Sequence, residues 1–337
     1  MTSATTGAKT FLPGVIVACV LAGIALLVSA VLPPVVSPVL VAVVLGLALA
    51  NLIDMPAETR HGLDFAAKRV LRWGVVLLGA KLSLGDVVAI GQIGLGVVAL
   101  CMITAFTIVA VAARAFRVPP RLSILLAVGT AVCGNSAIVA TAPVVDADEK
   151  EIGVAVGTIT VFGTVALLLF PVIGHAVGMA DTVFGFWAGL SINDTSQVVA
   201  AGAAHSPQAL ETATVVKLVR NTLMAPLIIL LYWWSRRTRA TATEATEALG
   251  AARGAFPLFV LGFLALAALR SVGVIDAEAA SVLATGSTVL ITVAIAAVGA
   301  SVKLSHLRTV GAKPFLVGFA ASAGLAVMGV TLAHFVA

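Results

Sequence analysis

The chain contains few charged residues. Asp, Glu, Lys and Arg make up 10% of its 337 residues, whereas a soluble domain has about 25%. Hydrophobic residues account for 61%, and the mean hydropathy is +1.15. A folded core cannot hide so much apolar surface at this length, so most of it must face lipid. Glycine and proline recur inside the apolar runs, which membrane helices tolerate better than soluble ones. The composition therefore predicts a polytopic, all-α membrane protein.

The sequence also lacks the motifs of hydrolytic and ATP-driven proteins. Its three cysteines, Cys19, Cys101 and Cys133, lie in apolar segments without metal-ligand spacing, so they predict neither disulfides nor a metal site. GxxxxGK[ST], HExxH and GxSxG are absent, and the five histidines do not cluster. GNSA around Ser136 has a faint likeness to an intramembrane serine protease, but no histidine is placed to act as its base. We expect no enzymatic activity, no metal and no cofactor other than a coupling proton or Na+.

The apolar runs predict eleven membrane-spanning helices, because a bilayer core requires about 20 apolar residues per helix. The first run follows a short N-terminus and shows no clear signal-peptide cleavage site, so we interpret it as a retained span. The predicted spans are 11–32, 36–53, 66–85, 88–113, 120–145, 152–178, 182–204, 209–234, 254–270, 279–302 and 311–336.

The basic residues predict the orientation of these spans. With a cytoplasmic N-terminus, fifteen of the twenty Lys and Arg fall on the cytoplasmic side, as the positive-inside rule requires. On the same scheme Arg121 begins span 5 on the cytoplasmic side, while Asp146 and Glu151 follow it on the other side. We expect a multi-pass membrane protein with an extracytoplasmic C-terminus and a cytoplasmic loop at 235–253. The basic residues are spread over separate loops, which argues against nucleic-acid binding.

A weak internal similarity predicts an inverted repeat, which is a common plan of secondary transporters. AKRVLRWGVVLLG (67–79) resembles VVKLVRNTLMAPL (215–227), and GNSAIVATA from Gly134 resembles GSTVLITVA from Gly286. This register gives one extra N-terminal span and two five-helix repeats, at 35–178 and 182–337. A second similarity, between GAKLSL (79–84) and GASVKLSH (299–306), would imply another register.

The segment AVCGNSAIVATAPVV (131–145) places polar and helix-weakening residues near the middle of a predicted span. An interrupted helix there would expose half-helix N-termini, whose N–H groups and dipole attract anions. The alternative is close helix packing through small residues. We interpret the segment and its repeat partner as a substrate or ion site, with the candidate residues Gly134, Asn135, Ser136, Thr141, Gly286, Ser287 and Thr288.

A second polar cluster, GLSINDTSQVVAAG, lies at 189–202 in predicted span 7. An ionisable group inside a membrane span is a functional-site hypothesis by default, which directs attention to Asp194. Alternatively, the span ends at Leu190 and a short re-entrant or external loop leaves Asp194 solvated. The candidate residues of this cluster are Asn193, Asp194, Thr195, Ser196 and Gln197.

A third cluster, VVKLVRNT, contains Lys217, Arg220 and Asn221 in predicted span 8. The two cations are three residues apart, so they project from roughly the same helix face. They could pair with Asp194, clamp the oxygens of an anion, or extend to the membrane interface. Two cations beside one carboxylate leave a net positive charge, which favours an anionic ligand.

These three segments resemble the signature of the YeiH family, bacterial inner-membrane proteins described as candidate sulfate exporters. The likeness covers almost the whole chain except the loop at 235–253. It implies outward transport of a small oxyanion or sulfonate and kinship with bile-acid symporters and sodium/proton antiporters. It further implies a panel and a core, with crossing helices at spans 5 and 10 broken near Gly134 and Gly286. Span 7 would then belong to the panel.

The residues and the resemblance together predict a secondary active transporter for a small anion such as sulfate, sulfite or an organosulfonate. In this hypothesis Asn135 and Ser136 bind the substrate or a coupling ion, Lys217 and Arg220 supply positive charge, and Asp194 is the counter-charge. The alternatives are a passive anion channel and a cation-coupled importer that binds sodium through residues 193–195. The expected partners are the anion and the bilayer, and a homodimer is left open.

Overall fold

The computed structural model describes residues 3–32, 37–236, 258–302 and 311–336, and all regular secondary structure in these ranges is helical. The first half contains α1 (Ser3–Val31), α2 (Pro38–Leu52), α3 (Ala57–Phe65), α4 (Leu71–Leu78), α5 (Leu84–Ala115), α6 (Pro120–Ala131), α7 (Asn135–Thr141) and α8 (Glu149–Ala176). A π-helical turn, Ala66–Val70, joins α3 to α4. The second half contains α9 (Asp181–Ser191), α10 (Thr195–His205), α11 (Pro207–Thr222), α12 (Met224–Arg236), α13 (Phe259–Ser271), α14 (Ala277–Ser301) and α15 (Ala312–Val336).

Several of these helices are long and apolar enough to cross a bilayer unaided. Within the described ranges they are Phe11–Val31, Val87–Ala115, Glu149–Ala176, Pro207–Leu231, Ala277–Ser301 and Ala312–Val336. This confirms a helical membrane protein but not the predicted count of eleven spans. The predicted loop at 235–253 lies almost wholly outside the described residues, as do five of the predicted cytoplasmic cations: Arg237, Arg239, Arg253, Lys303 and Arg308.

The chain forms two compact units, and each takes segments from both predicted repeats. The first unit comprises the described residues within Met1–Val88, Val199–Glu211 and Phe259–Leu304. Its helices approach so closely that Gly46 and Gly299 face each other across α2 and α14. A Cβ at Gly46 would lie 2.4 Å from the Ala296 carbonyl oxygen, so these positions accept only glycine without movement of the helices.

Helix α14 corrects one prediction about the site. Its N-terminus is capped by the Asp276 carboxylate, which accepts from the Ala279 N–H at 2.7 Å, and the helix then runs unbroken to Ser301. The predicted break near Gly286 is therefore wrong. Ser287 donates to the Gly74 carbonyl oxygen of α4 at 2.7 Å and so joins two helices, whereas Thr288 donates to the Ala284 carbonyl oxygen within α14. Gly286 is therefore no counterpart of Gly134 as a helix break.

The second unit comprises the described residues within Ala89–Val198, Thr212–Leu258 and Ser305–Ala337. In it, predicted span 5 folds back on itself as a re-entrant hairpin. Arg121, at the start of α6, donates to Asp146, after α7, at 2.9 Å. A Cβ at Gly129 would lie 2.9 Å from the Ile138 side chain, which shows that α6 and α7 pack against each other. We call residues 120–145 hairpin 1.

This hairpin corrects the predicted placement of the acidic residues after span 5. Arg121 and Asp146 do not lie at opposite ends of one span, because the chain returns to the side from which it entered. Asp148, Glu149 and Glu151 follow on that same side. The Asp148 and Glu151 side chains each accept from the other residue's backbone N–H, and this capping box starts α8.

Predicted span 7 also folds back. Ala213 and Val216 of α11 lie beside Gly189, and Lys217 lies beside Ile192, so α9 and α11 run in the same direction. Helix α10 connects the inner end of α9 to the start of α11, so it must run in the opposite direction. The prediction of a continuous helix over 182–204 is therefore wrong. The re-entrant alternative describes the path of the chain, but its solvated Asp194 does not fit, because Asp194 is half-buried. We call residues 181–205 hairpin 2.

The two hairpins begin at opposite ends of α8. Hairpin 1 precedes α8 and hairpin 2 follows it, and the 28 residues of α8 extend about 42 Å, enough to cross the bilayer. Helices α6 and α9, of 12 and 11 residues, reach about 16–18 Å inward. Both hairpins therefore end near the middle of a hydrocarbon core that is about 30 Å thick.

Candidate functional site at the tips of two re-entrant hairpins

The tip of hairpin 1 depends on a glycine. The chain leaves the helix at Val132 (φ −118°, ψ −96°) and turns at Gly134, whose φ is +68° and ψ −125°. Residues with a Cβ rarely adopt this backbone conformation. The predicted interruption of the helix at Gly134 is thus confirmed. A Cβ at this position would lie 3.5 Å from the Asn193 carbonyl oxygen and from Asp194, so the tips of the two hairpins are in contact.

Replacement of Gly134 by alanine is expected to destabilise the protein by about 1–3 kcal/mol, because the backbone would be strained without a steric clash. The measurement is the free energy of unfolding in detergent. Gly153 in α8 is a matched control, since a Cβ there meets nothing within 4 Å. Gly153→Ala should be neutral or slightly stabilising. Equal effects of the two substitutions would contradict the assignment of a strained tip.

The tip of hairpin 2 is stabilised by a carboxylate. Ile192 is extended (φ −80°, ψ 136°) and ends α9, while Asp194 precedes the first residue of α10. The Oδ1 atom of Asp194 accepts from the Ser196 N–H at 2.8 Å and from the Ser196 hydroxyl at 2.5 Å. Asp194 therefore acts as the N-cap of α10, and its negative charge faces the positive end of the helix dipole.

Lys217 joins the two tips from α11. Its ammonium group donates to the carbonyl oxygens of Val132 at 2.8 Å, Ile192 at 3.1 Å and Asn193 at 2.5 Å. The residue has no exposed surface. The three N–H donors of the ammonium thus match three carbonyl acceptors, one on hairpin 1 and two on hairpin 2.

Arg220 makes the same connection one turn further along α11. On hairpin 1 its guanidinium donates to the carbonyl oxygens of Ala131 at 2.6 Å and of Thr130. On hairpin 2 it donates to the carbonyl oxygens of residues 189, 190 and 192. The last carbonyls of a helix have no intrahelical partner, so these cations satisfy the ends of α6 and α9 and face their negative dipole ends.

These contacts decide between the three roles considered for the cations. Lys217 is 0% exposed and Arg220 1% exposed, so neither extends to the membrane interface. Among the described residues, neither forms an ion pair with Asp194 within 4.0 Å. Their donors are occupied by carbonyl oxygens, so a direct clamp on anion oxygens does not describe this structure. They still leave the tips with one net positive charge beside Asp194.

A polar network on α8 surrounds the tips. Asn135 donates to the Thr160 hydroxyl at 3.2 Å. Gln197 donates to the Thr164 hydroxyl at 3.3 Å and to the Thr160 carbonyl oxygen at 3.4 Å. Sequence reasoning missed Thr160 and Thr164. Their spacing of four residues, which places both on one face of a long apolar helix, is the signal that could have identified them.

Helix α11 adds Asn221, which donates to the Thr195 hydroxyl at 3.1 Å. The structure therefore brings together the predicted residues Gly134, Asn135, Asn193, Asp194, Thr195, Ser196, Gln197, Lys217, Arg220 and Asn221. Asn135 and residues 194–196 are half-buried, and Ser136 is exposed at the start of α7. Thr141 is fully buried at the end of α7. The three residues from 286 to 288 lie in the other unit.

Several buried oxygens around the tips have no hydrogen-bond partner within the described part of the chain. They are Oδ1 of Asn193 and Asn221, Oε1 of Gln197 and the hydroxyl of Thr130. A buried acceptor without a donor costs about 1–3 kcal/mol. Water or a bound ligand at the tips would remove this cost.

The site consists of two helix breaks that meet and are surrounded by backbone and polar side chains. Such a site defines a class of polytopic membrane protein whose architecture is consistent with a transporter. Residues 13–318 match the model of a family described as conserved hypothetical protein 698. The chain belongs to this family, the YeiH/UPF0324 family, which confirms the resemblance found in the sequence.

The relatives are similar over most of their length. A UPF0324 membrane protein of Corynebacterium glutamicum is 33% identical over 330 residues, covering 96% of this chain and 93% of the relative. One from Bacillus anthracis is 31% identical over 294 residues, covering 87% and 85%. One from Agrobacterium fabrum is 32% identical over 292 residues, covering 86% and 80%. No solved structure matches the chain significantly.

Proposed function

We propose that the protein is a secondary active transporter that moves a small anion, such as sulfate, sulfite or an organosulfonate, out of the bacterial cell. The observation that carries the proposal is the contact between the two hairpin tips, where two buried cations accompany a single carboxylate. An excess of positive charge in a low-dielectric region favours an anionic ligand. The outward direction follows from what the family resemblance implies.

In this proposal the cations act at a distance. Lys217 and Arg220 hold both tips and contribute charge, while hydroxyl and amide groups contact the anion. The half-buried polar residues at the tips are available for that contact: Asn135, Thr195 and Ser196, together with the exposed Ser136. Asp194 is the only carboxylate that the described contacts place at the tips, so we assign it to coupling with a proton.

We extend the predicted orientation to the two hairpins. Arg114, Arg117 and Arg121 lie at the base of hairpin 1, which we therefore assign to the cytoplasmic face. Each hairpin removes one predicted membrane crossing. Two crossings are removed in total, so every segment after hairpin 2 stays on its predicted side of the membrane. The N-terminus and the loop at 235–253 would then stay cytoplasmic and the C-terminus extracytoplasmic, while Asp181 at the base of hairpin 2 would face outward.

A sodium-coupled importer of an organic anion is the second candidate. It is favoured by the unpartnered carboxamide oxygens of Asn193 and Asn221 near the Asp194 carboxylate. Sodium, like other hard cations, prefers oxygen ligands of this kind. The two candidates differ in which ion stabilises the empty protein, so one experiment separates them.

Anion binding can be measured as a shift in the thermal unfolding temperature of the purified protein. Sulfate, sulfite and methanesulfonate would each be titrated at constant ionic strength, with chloride as the reference. We expect saturable stabilisation by at least one sulfur anion, of about 2.7 kcal/mol at a concentration 100 times Kd. Asn135→Ala should abolish the shift, because it removes a polar group from the proposed site and keeps the contacts of Lys217 and Arg220.

Asn51→Ala provides the control for this experiment. Asn51 belongs to the first unit and donates to the Leu47 carbonyl oxygen at 2.8 Å. Its replacement should leave the anion-dependent shift intact. Stabilisation by sodium alone, lost in Asp194→Asn, would instead support the importer. Absence of any anion effect on the wild-type protein would contradict the exporter.

A further inference from the structure

An apolar groove of about 210 Å³ lies in the second unit, between α8, the inner end of α9 and α15. Its walls include Phe162, Leu169 and Phe170 from α8 and Phe319 and Ala323 from α15. No charged side chain lines it. Polar groups are limited to Ser191, Asn193 and Ser322, so an anion would recover little of its hydration here, and the groove favours a hydrocarbon ligand.

The groove opens on the surface that faces the membrane. Leu169 is 51% exposed, Ile173 43% and Phe319 57%, and they lie on α8 and α15, which are both long enough to cross the bilayer. Along α8 the lining extends from Phe162 to Ile173, which corresponds to about 16 Å of helix. One leaflet of the hydrocarbon core is about 15 Å thick. The groove thus matches the depth of a single leaflet.

The inner end of the groove is the tip of hairpin 2. Ser191, Ile192 and Asn193 line it there. The outer end lies towards the C-terminus of α8, which is the face from which hairpin 2 enters. The groove therefore runs from the headgroup level of that leaflet to the middle of the membrane, where it meets the proposed anion site.

We propose that this groove holds one acyl chain of a membrane phospholipid from the leaflet at the base of hairpin 2. The apolar lining, the opening towards lipid and the length of one leaflet all fit such a chain. The terminal methyl group would lie against the tip of hairpin 2. A bound lipid would thereby contact the segment that carries Asp194, and lipid composition would influence the hairpin.

The fluorescence of Trp187 can report whether the groove is occupied. Its ring stacks on Phe170, a lining residue, with the ring centroids 4.0 Å apart, and its Nε1 donates to the carbonyl oxygen of Ala326, another lining residue, at 2.9 Å. The tryptophan itself is only 4% exposed. Lipid at the general protein surface does not contact Trp187, whereas an acyl chain in the groove is separated from it only by the ring of Phe170.

The test uses full-length protein in which Trp187 is the only tryptophan, with Trp73, Trp233 and Trp234 replaced by phenylalanine. The protein is reconstituted in phosphatidylcholine vesicles whose acyl chains are brominated at mid-chain, because bromine quenches tryptophan fluorescence only at short range. We expect clear quenching relative to unbrominated lipid. Ala323→Phe, which fills the groove, should reduce the quenching to the unbrominated level.

Val327→Phe is the matched control, because it adds the same bulk to α15 at a side chain that is 68% exposed and outside the groove. Its quenching should equal that of the parent. If Ala323→Phe does not fold, Ala166→Leu fills the groove from α8 instead. Equal quenching in filled and unfilled proteins, or none in the parent, would overturn the proposal. Relief of quenching by a soluble organosulfonate would also overturn it, since the groove would then hold the substrate.

Discussion

Replacement of Arg220 by methionine is expected to lower the free energy of unfolding by about 3 kcal/mol or more, because several buried carbonyl oxygens lose their donor and each unsatisfied acceptor costs about 1–3 kcal/mol. Methionine keeps much of the side-chain volume but provides no donor. Carbonyl oxygens on both hairpins would then remain buried without partners, and the two tips would lose one of their two connections. Chemical denaturation of the protein in detergent measures the change.

Arg270 is a suitable control for this substitution. It lies at the end of α13 in the first unit, partly buried, and donates to the Ile275 carbonyl oxygen at 2.9 Å. Arg270→Met removes one contact of the same type, which corresponds to about 1 kcal/mol. Arg220→Lys should give an intermediate loss, because an ammonium group keeps the charge but has fewer donors in a different geometry. If Arg220→Met and Arg270→Met destabilised the protein equally, Arg220 would not be the connection between the hairpins.

Replacement of Asp194 by asparagine is expected to abolish transport driven by a proton gradient while exchange of labelled anion across the membrane persists. Asparagine retains the Oδ1 acceptor for the Ser196 N–H and hydroxyl, so α10 remains capped. It cannot take up a proton. The measurement compares gradient-driven flux and equilibrium exchange in proteoliposomes, and the first should fall to the background of empty vesicles.

Ser196→Ala separates the charge of Asp194 from its capping role. This variant removes the hydroxyl that donates to Oδ1 at 2.5 Å but leaves the carboxylate in place. The loss of one such hydrogen bond should cost about 1 kcal/mol in stability and leave gradient-driven flux intact. If Asp194→Asn supported net flux at the wild-type rate, Asp194 would be a structural cap and would have no part in coupling.

The sequence identified the tips more reliably than the path of the chain between them. Gly134 and Asp194 were identified because glycine, amide and carboxylate groups are costly inside apolar runs. This cost can be recognised from the sequence without knowledge of the fold. The same apolar runs led to straight spans at 120–145 and 182–204. A run of twenty apolar residues fits one membrane crossing and two half-crossings equally well, since both bury the same side chains in lipid or protein.

The wrong prediction of a helix break at Gly286 has a related cause. Both segments combine glycine, serine and threonine with apolar residues, and small residues serve close helix packing as readily as they interrupt a helix. At Ser287 the hydroxyl finds the Gly74 carbonyl oxygen and α14 remains continuous. At Gly134 the chain turns because its φ is positive and hairpin 2 lies against it. The local sequence does not show which of the two glycine segments turns and which stays helical.

The sequence by itself determined that the protein is helical, that it lies in a membrane, that it belongs to its family, and which polar groups are buried there. These properties depend on composition and on the cost of unsatisfied polar groups in lipid. Only the tertiary structure decided that Lys217 and Arg220 bind carbonyl oxygens of both hairpins. A cation in an apolar segment must find partners, but whether these are a carboxylate, an anion or helix ends depends on which backbone groups the fold leaves open beside it.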